Sequence, residues 1–387
     1  MKKKIKVLQV IPRLDYGGAE IGCYDLAHYL QEKDCKSYIA TQGGALLKFI
    51  KKGKVKVFKL PVHSKNPIII LFNALLLSIL ILSYNINIVH ARSRAPAWSC
   101  LLATKLTRRK FITTFHGTYN FSNKIKKFYN SVMVRSDLVI AGSNFIFSHI
   151  SKNYSDFFGK KNRKLLVIFR GINTEYFNSK RISISKSEKL FKDWKLEANQ
   201  NKFVILLPGR LTNWKGQKIF IEALNLLNTK ENKREFMGII LGNEQGRNIY
   251  KKQLVALIQK YRLNQVIQFV DTCEEMPTAY SISNFVVSAS TEPEAFGRVS
   301  VEAQSMCKPI VASNLGGSKE TIINEKTGFL FEAGNPSDLA ETLYKLMNMD
   351  DSMLTSIGNE GRKNVLKKFD VEKMCNSTFT EYKKLIQ

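Results

Sequence analysis

Short apolar runs alternate with longer amphipathic stretches along almost the whole chain. β-Branched and aliphatic residues cluster at 5–12, 37–41 and 54–60, open the stretches 87–93, 110–119, 137–143 and 165–177, and cluster again at 203–208, 236–243, 266–271, 285–290 and 309–313. Runs of this length fit buried strands, and most intervals between them have room for a helix. Strands alternating with helices predict an α/β fold: parallel sheets covered on both faces, with a ligand crevice at the strands' carboxyl ends. The runs fall into two sets. Because a single core stops growing near ~250 to 300 residues, the 387 residues predict two lobes, 1–177 and 201–370. The Lys-, Ser- and Asn-rich segment 178–200 has no strand pattern and reads as the linker, and the tail 371–387 reads as a helix.

One run departs from this alternation. IIILFNALLLSILIL, residues 68–82, is fifteen residues long and is broken by Asn73 and Ser78. A membrane-spanning helix needs about 20 residues. The run fits a buried helix best, and a helix dipping into a membrane interface is the alternative.

Charge separates the two lobes. Residues 1–172 carry 30 Lys/Arg against 7 Asp/Glu, whereas residues 201–387 carry 24 against 21. A basic lobe suits an anionic membrane face, an acidic acceptor or nucleic acid, and solvated lysines are the bland alternative. Lysine clusters at 48–59, 105–110, 124–127 and 160–164 would make the contact. The six cysteines form no C-x-x-C pair and have no His at ligand spacing, so neither zinc nor disulfides are expected. The opening MKKKIKVLQVIP enters a strand without the apolar core of a signal peptide, so the chain is expected in the cytoplasm.

The candidate chemistry lies where strands of the second lobe run into loops. After 285–290 comes TEPEAFGRVSVEAQ, a loop with Glu294, Phe296 and Gly297 followed by a helix carrying Glu302. Backbone amides at such a helix start favour an anion. Glu302 lies eight positions past Glu294, roughly 10 Å at about 1.5 Å per residue, so a diphosphate fits between them. In that arrangement Glu302 would accept from ribose hydroxyls and Glu294 would meet a sugar. The loop GRLTNWKG adds two cations, Arg210 and Lys215, suited to phosphate oxygens. In the first lobe, Gly17 and Gly18 would allow close backbone approach, while His90, Arg92, Arg94, His116 and Ser143 fall at strand ends.

Glu294, Phe296, Gly297, Glu302 and Ala303 closely resemble the E-x-F-G-x-x-x-x-E-A motif of retaining glycosyltransferases of family 4. The resemblance extends to G-R-L-x-x-x-K-G at 209–216, where the family binds the donor diphosphate through the positions of Arg210 and Lys215. It also covers G-G-A-E at 17–20, the His116-Gly117 pair that the family often places near the transferred sugar, and the stretches 316–322 and 327–331. Residues 165–177 resemble V-I-P-N-G-V-D, but Phe169 and Arg170 replace Pro and Asn. Residues 89–120 resemble bacterial members near lipopolysaccharide and envelope-polysaccharide assembly. The resemblance implies a GT-B fold, two Rossmann-like lobes facing a cleft, with the last helix crossing back to the first lobe. It implies retaining transfer of a sugar from a nucleoside diphosphate donor to an envelope glycan or lipid-linked acceptor. No cofactor or metal is expected, since the cations and the helix start would take the leaving-group charge and no D-x-D triplet occurs. Two carboxylates beside a sugar would also suit a glycoside hydrolase, but a hydrolase needs no cationic phosphate loop. A sugar-nucleotide epimerase of the same fold is the enzymatic alternative. A nucleic-acid binder is the other, although no recognition motif supports it.

Overall fold

The computed structural model describes all residues except 1–3, 34, 51–52, 159–162, 197–201, 232–233, 245 and 247. Two compact units result, one formed by Met1–Gly171 with Val371–Gln387 and the other by Ile172–Asp370.

The first unit is built on strands β1 (Lys6–Val10), β2 (Lys36–Thr41), β3 (Lys56–Lys59), β4 (Ile88–Ala91), β5 (Lys110–Phe115), β6 (Leu138–Ala141) and β7 (Lys164–Val167). They pair in the order β3-β2-β1-β4-β5-β6-β7, parallel throughout. Helices α1 (Gly18–Glu32), α2 (Pro67–Ser83), α3 (Arg94–Thr107), α4 (Lys124–Asn130) and α5 (Asn144–Tyr154) fill the crossovers. Every residue of β4 and β6 is buried, which explains why these strands read as continuous apolar runs rather than as alternation.

The second unit contains α6 (Ile184–Asp193), β8 (Phe203–Pro208), α7 (Gln217–Asn228), β9 (Phe236–Leu241), α8 (Asn248–Lys260), β10 (Ile267–Val270) and α9 (Met276–Ser281). It continues with β11 (Phe285–Ser288), α10 (Arg298–Ser305), β12 (Ile310–Ser313), α11 (Ser318–Thr321), β13 (Phe329–Phe331), α12 (Pro336–Met347) and α13 (Asp351–Lys368). Its parallel sheet runs β10-β9-β8-β11-β12-β13. The three-residue β13 was not evident as a strand in the sequence. The final helix, α14 (Val371–Ile386), belongs to the first unit, where Tyr382 Oη lies 2.5 Å from His90 Nδ1.

Two expectations need correction. The segment 178–200 is not a free linker. Its described part packs on the second unit: Lys186 pairs with Glu275 at 2.9 Å, and the Trp194 carbonyl accepts from Gln268 Nε2 at 2.6 Å. Trp194 and Leu196 are buried, so two apolar anchors in a polar stretch dock it, while 197–200 lie outside the described residues. The boundary accordingly falls between Gly171 and Ile172, not after 177. The apolar run 68–82 does form a helix, capped by Asn66 and started by Pro67, but only one side of it is buried. No helix among the described residues is long and apolar enough to cross a membrane.

Lys308, between α10 and β12, donates to the Ser281 carbonyl at 2.8 Å, and burial brings its ammonium down from 10.5 to about 8. The unfolded chain therefore takes up this proton first as pH falls. Stability from this residue is highest above the unfolded value, declines as pH drops from about 10.4 to 8, and is flat below that. Lys308→Met should flatten the dependence and raise stability near pH 7 by on the order of 1–3 kcal/mol, read from urea unfolding near pH 7 and about pH 9.5.

Candidate active site

In the second sheet the strand order reverses between β8 and β11, so the loops that follow them open side by side at the carboxyl edge. The loop after β8 carries Arg210 and a short 3₁₀ turn, Asn213–Lys215, and ends at Gly216 with φ 75°. A Cβ on Gly216 would sit 1.7 Å from the Ala289 carbonyl oxygen, so only glycine lets this loop lie against the end of β11. The Thr291 N–H donates to the Trp214 carbonyl at 2.8 Å and fastens the two loops. Lys215 is thereby brought onto Glu294, with Nζ 2.7 Å from Oε1, and Ser290 Oγ donates to the same oxygen at 2.7 Å. Lys215 also lies over the Trp214 ring, 4.4 Å from its centroid. Burial pushes the Glu294 carboxyl up. The Lys215 charge and hydrogen bond, the Ser290 hydroxyl and the Arg210 charge more than offset it, so the carboxyl lies below its usual range. Arg210 itself is exposed.

α10 starts at Arg298 behind Gly297, which is left-handed at φ 83°, and no side chain caps this end. The Gly317 N–H donates to the Glu294 carbonyl at 2.7 Å, so the loop after β12 braces the turn from below. Phe296 does not offer its ring to a ligand: it is buried, edge-on to Phe369 at 5.6 Å between centroids. Its buried ring holds the loop. Glu302 is also buried, and both of its oxygens are engaged, one by Arg298 Nε and the other by Tyr280 Oη at 2.8 Å. A ribose would have to share the lone pairs that remain. Two buried hydroxyls nearby, Thr212 Oγ1 and Ser300 Oγ, have no hydrogen-bond partner among the described residues.

The remaining expected residues lie on the first unit, where the strand order reverses between β1 and β4. Gly17 is the N-cap of α1 at an ordinary φ of −72°, a backbone conformation that does not itself require glycine. A Cβ there would meet the Glu20 carboxylate at 2.2 Å, and one on Gly18 would meet the Arg170 guanidinium at 2.6 Å. The neighbour that approaches this turn is thus Arg170, the residue that departs from the family pattern. Glu20 accepts from the backbone N–H groups of Ala19 and of itself. Burial raises its carboxyl, with Arg170 acting in the opposite direction. Arg92 is buried, donates through Nε to Gln9 Oε1 at 2.9 Å and makes no ion pair among the described residues. Both ring nitrogens of His116 are shielded from solvent without a hydrogen-bond partner among the described residues. Burial, then the charges of Arg170 and Arg92, hold the ring well below its usual range, so it is neutral.

Three other strand-end residues are structural. His90 joins Tyr382 to Thr114, Arg94 bonds Asn130 at 2.9 Å and stacks on Tyr119, and Ser143 caps α5. The candidate residues therefore form two groups: Arg210, Lys215, Glu294, Phe296, Gly297 and Glu302 on the second unit, and Gly17, Gly18 and His116 on the first. Ser290, Thr212, Ser300 and Arg92 complete these groups and were not singled out as site residues. Hydroxyls at loop ends carry no periodic signal. Arg92 was visible only as one of several strand-end residues.

Models of two families match the chain: glycosyl transferases group 1 over residues 188–364 and glycosyltransferase family 4 over residues 16–176. The solved structure of a glycosyltransferase from Rickettsia africae ESF-5 is 37% identical, covers 99% of both chains and superposes with a TM-score of 0.89. The chain belongs to glycosyltransferase family 4. A curated relative, the capsular polysaccharide biosynthesis glycosyltransferase CapM of Staphylococcus aureus, is 29% identical over 229 residues, 57% of each chain. The match thus spans little more than half of CapM. The Anabaena protein HepE, solved with UDP-glucose, is 22% identical over 98% of this chain and 100% of its own, with a TM-score of 0.81. At that identity it speaks for the fold, two parallel-sheet Rossmann-like units of GT-B type.

The Lys215–Glu294 pair carries a measurable consequence. Because the Glu294 carboxyl is depressed, the stability it contributes is present above the unfolded value of about 4.3 and lost as pH falls through the folded one. Lys215→Met should destabilise the fold by roughly 1–4 kcal/mol near neutral pH, and the difference from the parent should shrink below about pH 4. Chemical denaturation across that range measures both.

Proposed function

We propose that this chain transfers a sugar from a nucleoside diphosphate donor to an envelope glycan or lipid-linked acceptor, retaining anomeric configuration and using no metal ion. The observation that carries this reading is the convergence of Lys215, Glu294 and the Arg210 loop at the strand-order reversal of the second sheet. As the glycosidic bond loosens, negative charge gathers on the leaving diphosphate. Lys215 and the uncapped start of α10 are fixed in advance to receive it, and exposed Arg210 can reach it from the same loop. Lys215 holds Glu294 with one N–H and keeps two for phosphate oxygens. The carboxylate, ionised and anchored by Ser290, meets sugar hydroxyls.

On the first unit, neutral His116 has one ring nitrogen to donate and one to accept, which suits a hydroxyl of the transferred sugar. Buried Arg92, which makes no ion pair among the described residues, favours an acceptor that carries an acid group, such as a phosphorylated lipid-linked glycan. Such an acceptor places the enzyme on the cytoplasmic face of the membrane. CapM is named for capsular polysaccharide biosynthesis, and that likeness favours an envelope polysaccharide over other products.

Arg210→Ala should lower turnover by roughly 10²-fold or more while thermal unfolding stays near that of the parent. A folded variant that keeps parental transfer rates sinks the diphosphate assignment. Activity should survive EDTA, and complete loss restored by Mg²⁺ or Mn²⁺ would overturn the metal-independent step. A panel of nucleotide sugars identifies the donor, and product formed without any acceptor would point to the epimerase instead.

His116→Ala should reduce kcat at least about tenfold with little change in donor affinity, because the group acts at the reacting sugar rather than at the nucleotide. Equal loss of donor binding, measured by calorimetry, would place His116 in the nucleotide site.

A further inference from the structure

α2 turns its most apolar side outward. Ile68, Leu71, Phe72, Leu75, Ile79 and Leu82 are each between 54 and 76% exposed, whereas Asn73, Ala74, Leu77 and Ile81 are buried. At 100° per residue the six exposed side chains share one arc about 100° wide, and at 1.5 Å per residue they run about 21 Å along the helix. Neither polar residue of the run competes with this stripe: Asn73 donates to the Pro61 carbonyl at 3.0 Å, and Ser78 to the Ala74 carbonyl at 2.8 Å. A folded surface seldom leaves so continuous an apolar strip facing water unless something covers it.

The charge around the stripe identifies the cover. Residues 35–136 hold 18 Lys and Arg and no Asp or Glu, although residues 201–387 are nearly balanced at 24 against 21. A chain-wide preference for lysine would not remove acids from one half only. At the carboxyl end of α2, Lys56 Nζ donates to Tyr84 Oη at 2.6 Å and Lys6 Nζ to the Tyr84 carbonyl at 2.9 Å. Beside Tyr84 runs a cleft of about 990 Å³ lined by Lys36, Lys48, Lys54, Lys56 and Lys59. α3, on which α2 packs, ends in exposed Leu106 between Lys105 and Arg108. A second copy would set this acid-free surface against its own image and be repelled. Nucleic acid would leave the stripe wet.

We propose that α2 lies in the interface of an anionic lipid bilayer, with its stripe at the acyl boundary, Tyr84 at headgroup level and the neighbouring lysines on lipid phosphates. The inference gives the membrane reading above a surface, and it stands apart from the transfer reaction, since neither donor nor acceptor enters it. Apolar insertion is unscreened by salt and the lysine attraction is screened, so the two contributions separate experimentally.

The test is flotation of the full chain with vesicles of phosphatidylcholine alone or with roughly 30% phosphatidylglycerol, at low salt and at about 0.5 M NaCl. The parent should prefer the anionic vesicles and keep a residual partition at high salt. The triple variant L71Q/L75Q/I79Q should lose that residue at least about tenfold while keeping part of the low-salt binding. In F72W, vesicles should shift the indole emission to the blue, and bromine on the acyl chains should quench it. Should the triple variant fail to fold, F72W still decides. An emission that vesicles leave unmoved, a triple variant that floats like the parent at high salt, or a parent that binds neither vesicle overturns the proposal. So does a concentration-dependent dimer that the triple variant abolishes, since the cover would then be a second copy. Nucleotide-sugar binding should be the same in the parent and these variants. Its absence from the parent would sink the transfer reading and leave this one untouched.

Discussion

The salt bridge between Lys215 and Glu294 depends on backbone arrangements that have little to do with charge. It forms because the loop after β8 can lie against the end of β11, which needs a residue without a side chain at Gly216, and because Thr291 and Gly317 fasten the second loop on two sides. With the loops fixed, two oppositely charged groups that would each be costly to bury alone become mutually required. The position of the Lys215–Glu294 pair is therefore set by the backbone, with no ligand needed to bring the two groups together.

The first unit solves a different problem. Its sheet edge gathers guanidinium and imidazole groups, with the Glu20 carboxylate among them, and the buried polar residues answer one another in short chains such as Cys23, Gln9 and Arg92. A fold gains little stability from such a cluster. Its cost is understandable where an external anion completes it.

Much of this was legible in the residues. The alternation of buried runs with helix-length intervals fixes two parallel sheets, since strands covered on both faces must be apolar throughout, and β4 and β6 are buried at every position. The positions of Arg210, Lys215 and Glu294 followed from spacing and motif. Their mutual contact did not, because Lys215 and Glu294 lie 79 residues apart and meet only through the strand order. A linear motif does not say which side of a turn faces inward, so the burial of the Phe296 ring and the engagement of both Glu302 oxygens by Arg298 and Tyr280 were not legible in it. Two apolar anchors, Trp194 and Leu196, hidden among lysines and serines, were enough to turn an apparent linker into part of the second unit. The exposed stripe of α2 inverts the usual rule. Apolar periodicity identifies a face that avoids water, but not what the face meets instead.

The return of α14 to the first unit bears on how the chain is made. Tyr382 closes on His90 across 292 residues, so the face of α1 that α14 covers stays bare until α14 itself has been made. The second unit, continuous from Ile172 to Asp370, has all of its sequence available earlier. Synthesis thus reverses the usual order, in which the domain made first also matures first. The first unit must wait, partly assembled and with apolar surface uncovered, for a helix that is made only after the whole second unit.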